Sequence, residues 1–167
     1  VESVNKPLVI DADGLNALVG QTEILDGATH PVVVTPHPGE FGRLAGLSTA
    51  EVQADREAQA VKFAGRSSSL VVALKGTETV VTDGNRIYVN NTGNPGMATG
   101  GAGDVLTGII AALLAQRAPA FEAAQLGVYV HGLAGDIARD HDGEIGMIAG
   151  DIVDALPDAF VHLRTDY

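Results

Sequence analysis

Three short runs constrain this chain most: "PLVI" at residues 7–10, "PVVVT" at 31–35 and "LVVAL" at 70–74. Apolar residues follow one another in them without alternation. A strand with one wet face alternates with a period of two, whereas a run apolar throughout is buried on both faces. Helical patterns separate and follow the runs. That order predicts an α/β fold, with a largely parallel central sheet covered by helices on both faces. Hydrophobic residues make up 46% of the chain but aromatics only 4%, so Ala, Val, Leu and Ile must fill the core. At 167 residues the chain suffices for one domain. No repeat, linker or low-complexity segment divides it.

Local signals place the remaining elements. "LNALVG" reads as one or two helical turns, and "EFGRLAG" as a short helix closed by Gly46. Ser48 and Glu51 have capping-box spacing. Ala54, Ala58 and Val61 continue at helical spacing, which predicts a helix through "QADREAQAVKFAG" with Arg56, Glu57 and Lys62 on a solvated face. "ETVVT" and "RIYVN" flank "DGN" and predict a hairpin. "DVLTGIIAALLAQ" is apolar nearly all round and predicts a buried helix. "AFEAAQLGVYVHGLAGDIARD" predicts a long, mostly apolar helix, and "GMIAGDIVDALPDAFVHL" a last helix kinked or restarted near Pro157.

Ligands of open α/β sheets bind beyond the C-terminal ends of the strands. "DADG", "TPHPGE", "LKGTET" and the loop "NPGMATGGAGD" are all expected at that edge. The loop is not a P-loop, because no Lys-Ser or Lys-Thr follows its last glycine. Nor is it a dinucleotide fingerprint, since Leu106 stands where the third glycine belongs. Gly100, Gly101 and Gly103 can nevertheless turn successive amides toward one point at a helix N-terminus and so receive an anion. A carboxylate beside such a hole, Asp104, suits proton removal from a hydroxyl that attacks a phosphoryl group. A plainer reading stays open, in which the glycines make a tight turn and Asp104 caps the helix.

The other candidates also read two ways. Lys75 could offset phosphate charge with Thr77 and Thr79 bonding a nucleotide, or "KGTET" could be a polar turn. His37, between two prolines, could contact a ligand or be solvated. Glu40 could cap its helix or help hold magnesium through water. Asp11, Asp13 and Asn16 suit a substrate or metal role, or a turn with Asp13 capping. His30, His131, His141 and His162 lack ligand-like spacing, and no metal ligand is assigned.

A net charge of −11 argues against nucleic acid and anionic membranes as partners. The absence of cysteine removes disulfides, zinc–thiolate sites and a thiol nucleophile. No signal peptide shows, and no apolar run reaches the roughly 20 residues of a membrane span, so the expected location is cytoplasmic. "VESVNKPLVIDADG" enters a buried strand at once, without methionine or opening helix, as the interior of a longer protein would.

Together, "VIDADGLNAL", "TPHPGEFGRL", "LKGTETVVTDG", "NNTGNPGMATGGAGDVLTGIIAALLAQ" and "AAQLGVYVHGLAGD" resemble the ADP-dependent (S)-NAD(P)H-hydrate dehydratases, from about residue 8 to the C-terminus. The resemblance implies a ribokinase-like fold. It implies repair of hydrated NADH and NADPH: the S-hydrate is dehydrated at the expense of ADP, with magnesium, giving AMP and phosphate. Asp104 matches the family's catalytic aspartate at the substrate hydroxyl. Lys75, Gly76, Thr77, Glu78, Thr79 and Gly103 match AMP-binding positions, and His37 matches a residue contacting the hydrate. A homotetramer is suggested, and in many bacteria the domain is fused behind an NAD(P)H-hydrate epimerase.

Family members are longer at the N-terminus, where further sheet and part of the hydrate site lie. Residues 1–167 are therefore expected to be the C-terminal part of a single ribokinase-like domain, as a fragment of a fusion or one piece of a split domain. Two other readings stand beside the dehydratase. One is a kinase of the same fold acting on a vitamin precursor or other small alcohol; the other is a non-catalytic nucleotide-binding fragment.

Overall fold

The structure is a computed structural model that describes residue 1 and residues 4–165. Glu2, Ser3, Asp166 and Tyr167, within the expected domain span, lie outside the described residues. The three apolar runs form β1 (Leu8–Ile10), β2 (Val32–Val34) and β3 (Leu70–Leu74), parallel to one another in that order. The hairpin follows as β4 (Val80–Thr82) and β5 (Ile87–Val89), each antiparallel to its predecessor, so the sheet runs β1-β2-β3-β4-β5. At the hairpin turn the Asp83 carboxylate accepts from the amides of Asn85 at 3.0 Å and Arg86 at 2.8 Å, an Asx turn of the expected kind.

Alternate residues of the central strands feed two cores. Val32, Val34, Leu70, Val72 and Leu74 face α1 (Ala12–Asn16), α2 (Pro38–Ala45), α3 (Thr49–Ala54) and α4 (Arg56–Ala64), where Phe41 and Phe63 meet edge to face. Val33, Val71, Ala73 and Val81 face α5 (Ala102–Ala115) and α6 (Ala120–Asp142). Burial on both faces is why β2 and β3 are apolar without alternation; β1, at the end of the strand order, is only half-buried at Leu8, Val9 and Ile10, so the full burial expected of its run is not met. α7 (Ala149–Thr165) packs on α6 through Ala134, Ala138, Ile152, Ala155 and Ala159. Small residues there let the two helices approach closely.

Several local expectations change. The predicted helix after Ser48 is two helices. The capping box is present, with Ser48 N to Glu51 Oε2 at 2.8 Å. Asp55, at φ −156° and ψ 77°, then leaves the helical region and caps α4 by accepting from Ala58 N. α5 is buried along one face only, by Leu106, Ile109, Ile110 and Leu114; its exposed positions are Asp104 and small residues such as Gly108 and Ala111. α7 runs through Pro157 without restarting. Gly46 ends α2 in the left-handed region, φ 70°, as expected.

Candidate active site

The C-terminal ends of β1, β2 and β3 place their loops side by side. Lys75, directly after β3, donates its backbone N–H to Pro36 O, two residues beyond β2, at 2.8 Å. Its ammonium then reaches Asp11 Oδ1, directly after β1, at 2.7 Å. Thr107, in the second turn of α5, donates its hydroxyl to the other Asp11 oxygen at 3.1 Å. Glu40 Oε2 lies 3.9 Å from the same ammonium. A β-carbon on Gly103 would sit 3.4 Å from Lys75 Nζ and 3.5 Å from Asp11 Oδ2, so the start of α5 closes the cluster. Asp11, Glu40, Lys75, Gly103 and Thr107 are thus gathered at the edge where the loops were expected.

His37 and Glu40 form the start of α2. His37 Nδ1 accepts from the amides of Gly39 at 3.0 Å and Glu40 at 3.3 Å, and Glu40 Oε2 accepts from His37 N at 2.8 Å. This is a capping box with histidine in the serine position. Nδ1 accepts, so a neutral ring carries its proton on Nε2, 3.5 Å from Glu40 Oε1. Half of the His37 side chain stays exposed, while the Glu40 side chain is only 8% exposed. His37 is therefore both a structural cap and open to a ligand.

The glycine loop divides into two parts with different work. Its first part is tied to α6: Gly93 N donates to Asp136 Oδ2 at 2.8 Å, and the Asn94 amide donates to Gly135 O and Asp136 Oδ1. Its second part leads into α5. Gly101 is the N-cap at φ 91°, and no side chain caps the helix. Asp104 is on the first turn, exposed, and makes no hydrogen bond or ion pair among the described residues. The capping role for Asp104 is therefore absent. An uncapped N-terminus offers its free amides and the positive end of the helix dipole to an anion.

The 75–79 loop is exposed at Gly76, Thr77 and Glu78. Thr79 Oγ1 donates to Gly76 O at 3.1 Å, which turns that hydroxyl inward on the loop. Glu78, at φ 56°, and Ala12, at φ 47°, are two of the non-glycine residues held in the left-handed region. Both adjoin the site, where such strain is commonly stored.

Two residues read as background prove to be parts of the site. Arg56, expected on a solvated face, folds over the 75–79 loop: its Nη2 donates to Leu74 O at 2.9 Å and Lys75 O at 3.3 Å, and its Nη1 donates to Thr77 O. Burial lowers its pKa from the usual value, with Glu78 opposing. His131, from α6, places Nε2 2.9 Å from Ala102 O in the first turn of α5. Burial and the nearby Lys75 ammonium push its pKa down to about 4, although the bond to Ala102 O works the other way. The ring is neutral and, facing a carbonyl, donates from Nε2. Neither contact has a sequence signature, because each spans roughly twenty residues or more. Asn16 and Asp13 do not join the cluster: Asn16 Oδ1 accepts from Arg43 at 2.9 Å and Asp13 is exposed.

No three acidic or histidine side chains among the described residues could cage a cation. Concavities of about 360 Å³ beside Phe63 and Arg66, and about 200 Å³ beside His141 and Asp154, lie away from Lys75. The candidate site is instead an open edge, carrying free amides, an ammonium held between carboxylates, and the exposed Asp104 carboxylate, unpaired among the described residues.

Residues 1–158 match the family described as NAD(P)H-hydrate dehydratase. The chain belongs to that family. It is 52% identical over 156 residues to the bifunctional NAD(P)H-hydrate repair enzyme of Moorella thermoacetica, covering 92% of this chain and 29% of that protein. It is 46% identical over 158 residues to the ADP-dependent (S)-NAD(P)H-hydrate dehydratase of Neisseria meningitidis, covering 92% of this chain and 53% of that one. The ADP/ATP-dependent NAD(P)H-hydrate dehydratase of Bacillus subtilis, crystallised with ATP and magnesium, superposes with a TM-score of 0.82 at 30% identity, covering 97% of this chain and 57% of that one. This dehydratase-family chain therefore spans little more than half of its solved neighbour, and its fold is ribokinase-like.

Proposed function

We propose that the full protein dehydrates the S-hydrates of NADH and NADPH at the expense of ADP, and that residues 1–167 are the C-terminal part of its single ribokinase-like domain. Asp104 carries this reading. It is an unpaired carboxylate on the first turn of α5, beside free amides and one residue from Gly103, which lies against the Lys75 ammonium.

Asp104 takes the proton of the ring hydroxyl as its oxygen attacks the β-phosphoryl group of ADP, releasing AMP. The N-terminal amides of α5 and the Lys75 ammonium stabilise the charge on the transferred group. The phosphate ester then eliminates: the ring loses a neighbouring proton, the C–O bond breaks, and a double bond returns. The oxygen of the added water leaves in phosphate. Gly103 and Lys75, Gly76, Thr77, Glu78 and Thr79 hold the nucleotide, and the exposed edge of His37 meets the hydrate.

Magnesium fits as an ion carried largely by phosphate. Such an ion binds one or two carboxylates plus substrate oxygens, and Asp11 and Glu40, both next to Lys75, are the carboxylates on hand. It would neutralise charge on the nucleotide's phosphates. We read the location as cytoplasmic and the assembly as a homo-oligomer, a tetramer by family likeness, fused to or paired with an epimerase. Among the described residues no helix is long and apolar enough to cross a membrane.

Product analysis separates this from the kinase reading. Full-length protein given S-hydrate, ADP and magnesium should release AMP and inorganic phosphate in equal amounts, followed by phosphorus NMR. Accumulation of a stable phosphorylated product would replace the dehydratase with a kinase.

A further inference from the structure

The loop after β3 holds its shape through a residue from another element. Asp55 breaks the helical run and starts α4 at Arg56, whose side chain crosses to the end of β3. There its guanidinium takes three carbonyls of one short stretch, those of Leu74, Lys75 and Thr77. It also lies on Gly76: a β-carbon at that residue would meet Arg56 Nη2 at 3.1 Å and Cζ at 3.3 Å. Gly76, at φ 143°, is the residue that both the conformation and the guanidinium admit. Arg56 Nε is buried without a partner, so this placement leaves one donor unused.

The consequence follows from peptide geometry. The chain has no cis peptide among the described residues, and in a trans peptide the N–H points opposite to the C=O. A guanidinium holding the Lys75 and Thr77 carbonyls therefore turns the amides of Gly76 and Glu78 to the other side. Neither amide donates to any backbone group among the described residues. The left-handed Glu78, φ 56°, is the strained residue this arrangement keeps in place.

We propose that Arg56 is a positioning residue of the nucleotide site: its planar fork, gripping the Leu74, Lys75 and Thr77 carbonyls from beneath, presents the Gly76 and Glu78 amides to the phosphates of ADP. The proposal rests on the reading of the 75–79 loop as nucleotide-binding. Charge alone would not do this work, because a lysine ammonium is a point donor without the rigid fork.

The test is titration of the full-length protein with ADP, alongside its Arg56→Lys and Arg56→Ala variants, with backbone order parameters at Gly76 and Glu78 measured by NMR. Both variants should weaken ADP binding about tenfold or more. KM for ADP should rise in step while kcat changes much less. Free guanidinium should restore part of the affinity of Arg56→Ala. Arg56→Lys binding ADP like the wild type would overturn the proposal, and if Arg56→Ala does not fold, Arg56→Lys decides alone. Should the wild type bind no ADP, the nucleotide reading fails. Backbone order then judges Arg56: lower order parameters at Gly76 and Glu78 in Arg56→Lys support its positioning role, and unchanged values reject it.

Discussion

Lys75 and Asp104, one residue from the Gly103 that lies against the Lys75 ammonium, are in opposite conditions. Lys75 is already paired with Asp11, whereas Asp104 is exposed and unpaired. A base must be free to take a proton, and a phosphate-binding cation must be held in place, so the difference suits the roles proposed for them. Asp104→Asn removes the proposed base and leaves the amides of α5 untouched. Its turnover should fall by about 10²–10⁴, with ADP affinity close to wild type by calorimetry. Lys75→Met strips the counter-ion from a nearly buried Asp11. It should weaken ADP binding and lower the melting temperature together, and Asp11→Asn in the same chain should recover part of the melting temperature but not the binding. His131 yields a pH effect. Its pKa is held near 4 in the fold against 6.5 ordinarily. Between those values the unfolded chain takes up a proton that the folded chain refuses, so stability rises with pH across that window and levels off above it. Urea unfolding at a series of pH values should show a climb of up to roughly 3 kcal/mol, and His131→Gln should show a smaller one.

At the scale of elements, the glycine loop is a contact between α6 and the start of α5 before it is a binding loop. α6 meets it with glycines. A β-carbon on Gly132 would lie 2.2 Å from Thr92 Oγ1, and one on Gly135 would lie 2.2 Å from Met97 Sδ. Thr92 also donates to Tyr129 O at 2.9 Å, so it cannot yield without losing that bond. Gly132→Ala should therefore cost about 1–3 kcal/mol in chemical denaturation, the usual range for overpacking, and Gly108→Ala, with open space around it, should not. The same elements show what a sequence conveys. β2 and β3 were legible because burial on both faces leaves an unbroken apolar run, and the Ser48–Glu51 cap because its partners are three residues apart. The convergence of Asp11, Lys75 and Gly103 followed from the strand ends alone. What escaped was set by distance along the chain or by a single residue's dihedrals. Asp55 divides one helical pattern into two helices. The reach of Arg56 to the β3 end and of His131 to Ala102 depends on how the layers stack, which local spacing does not encode. The glycine excess was visible, but not that Gly93 serves the α6 contact while Gly101 and Gly103 serve the start of α5.

At the scale of the whole molecule, a chain of net charge −11 would, on the proposed reading, meet phosphates with a local ammonium and oriented amides rather than a basic surface. That favours small, tightly held anions over polyanions. β1, the edge strand, carries the half-exposed Leu8, Val9 and Ile10 next to Asp11. The chain spans 57% of its solved Bacillus neighbour, so activity is a property to measure in the full-length protein. The most direct measurement supplies that protein with purified S-hydrate, magnesium and limiting ADP and follows recovery of reduced-nicotinamide absorbance. Recovery should stop when ADP is exhausted, with one NADH or NADPH formed per AMP, and Asp104→Asn should give almost none. Recovery that proceeds without nucleotide, or ADP binding with no recovery at all, would contradict the proposed function.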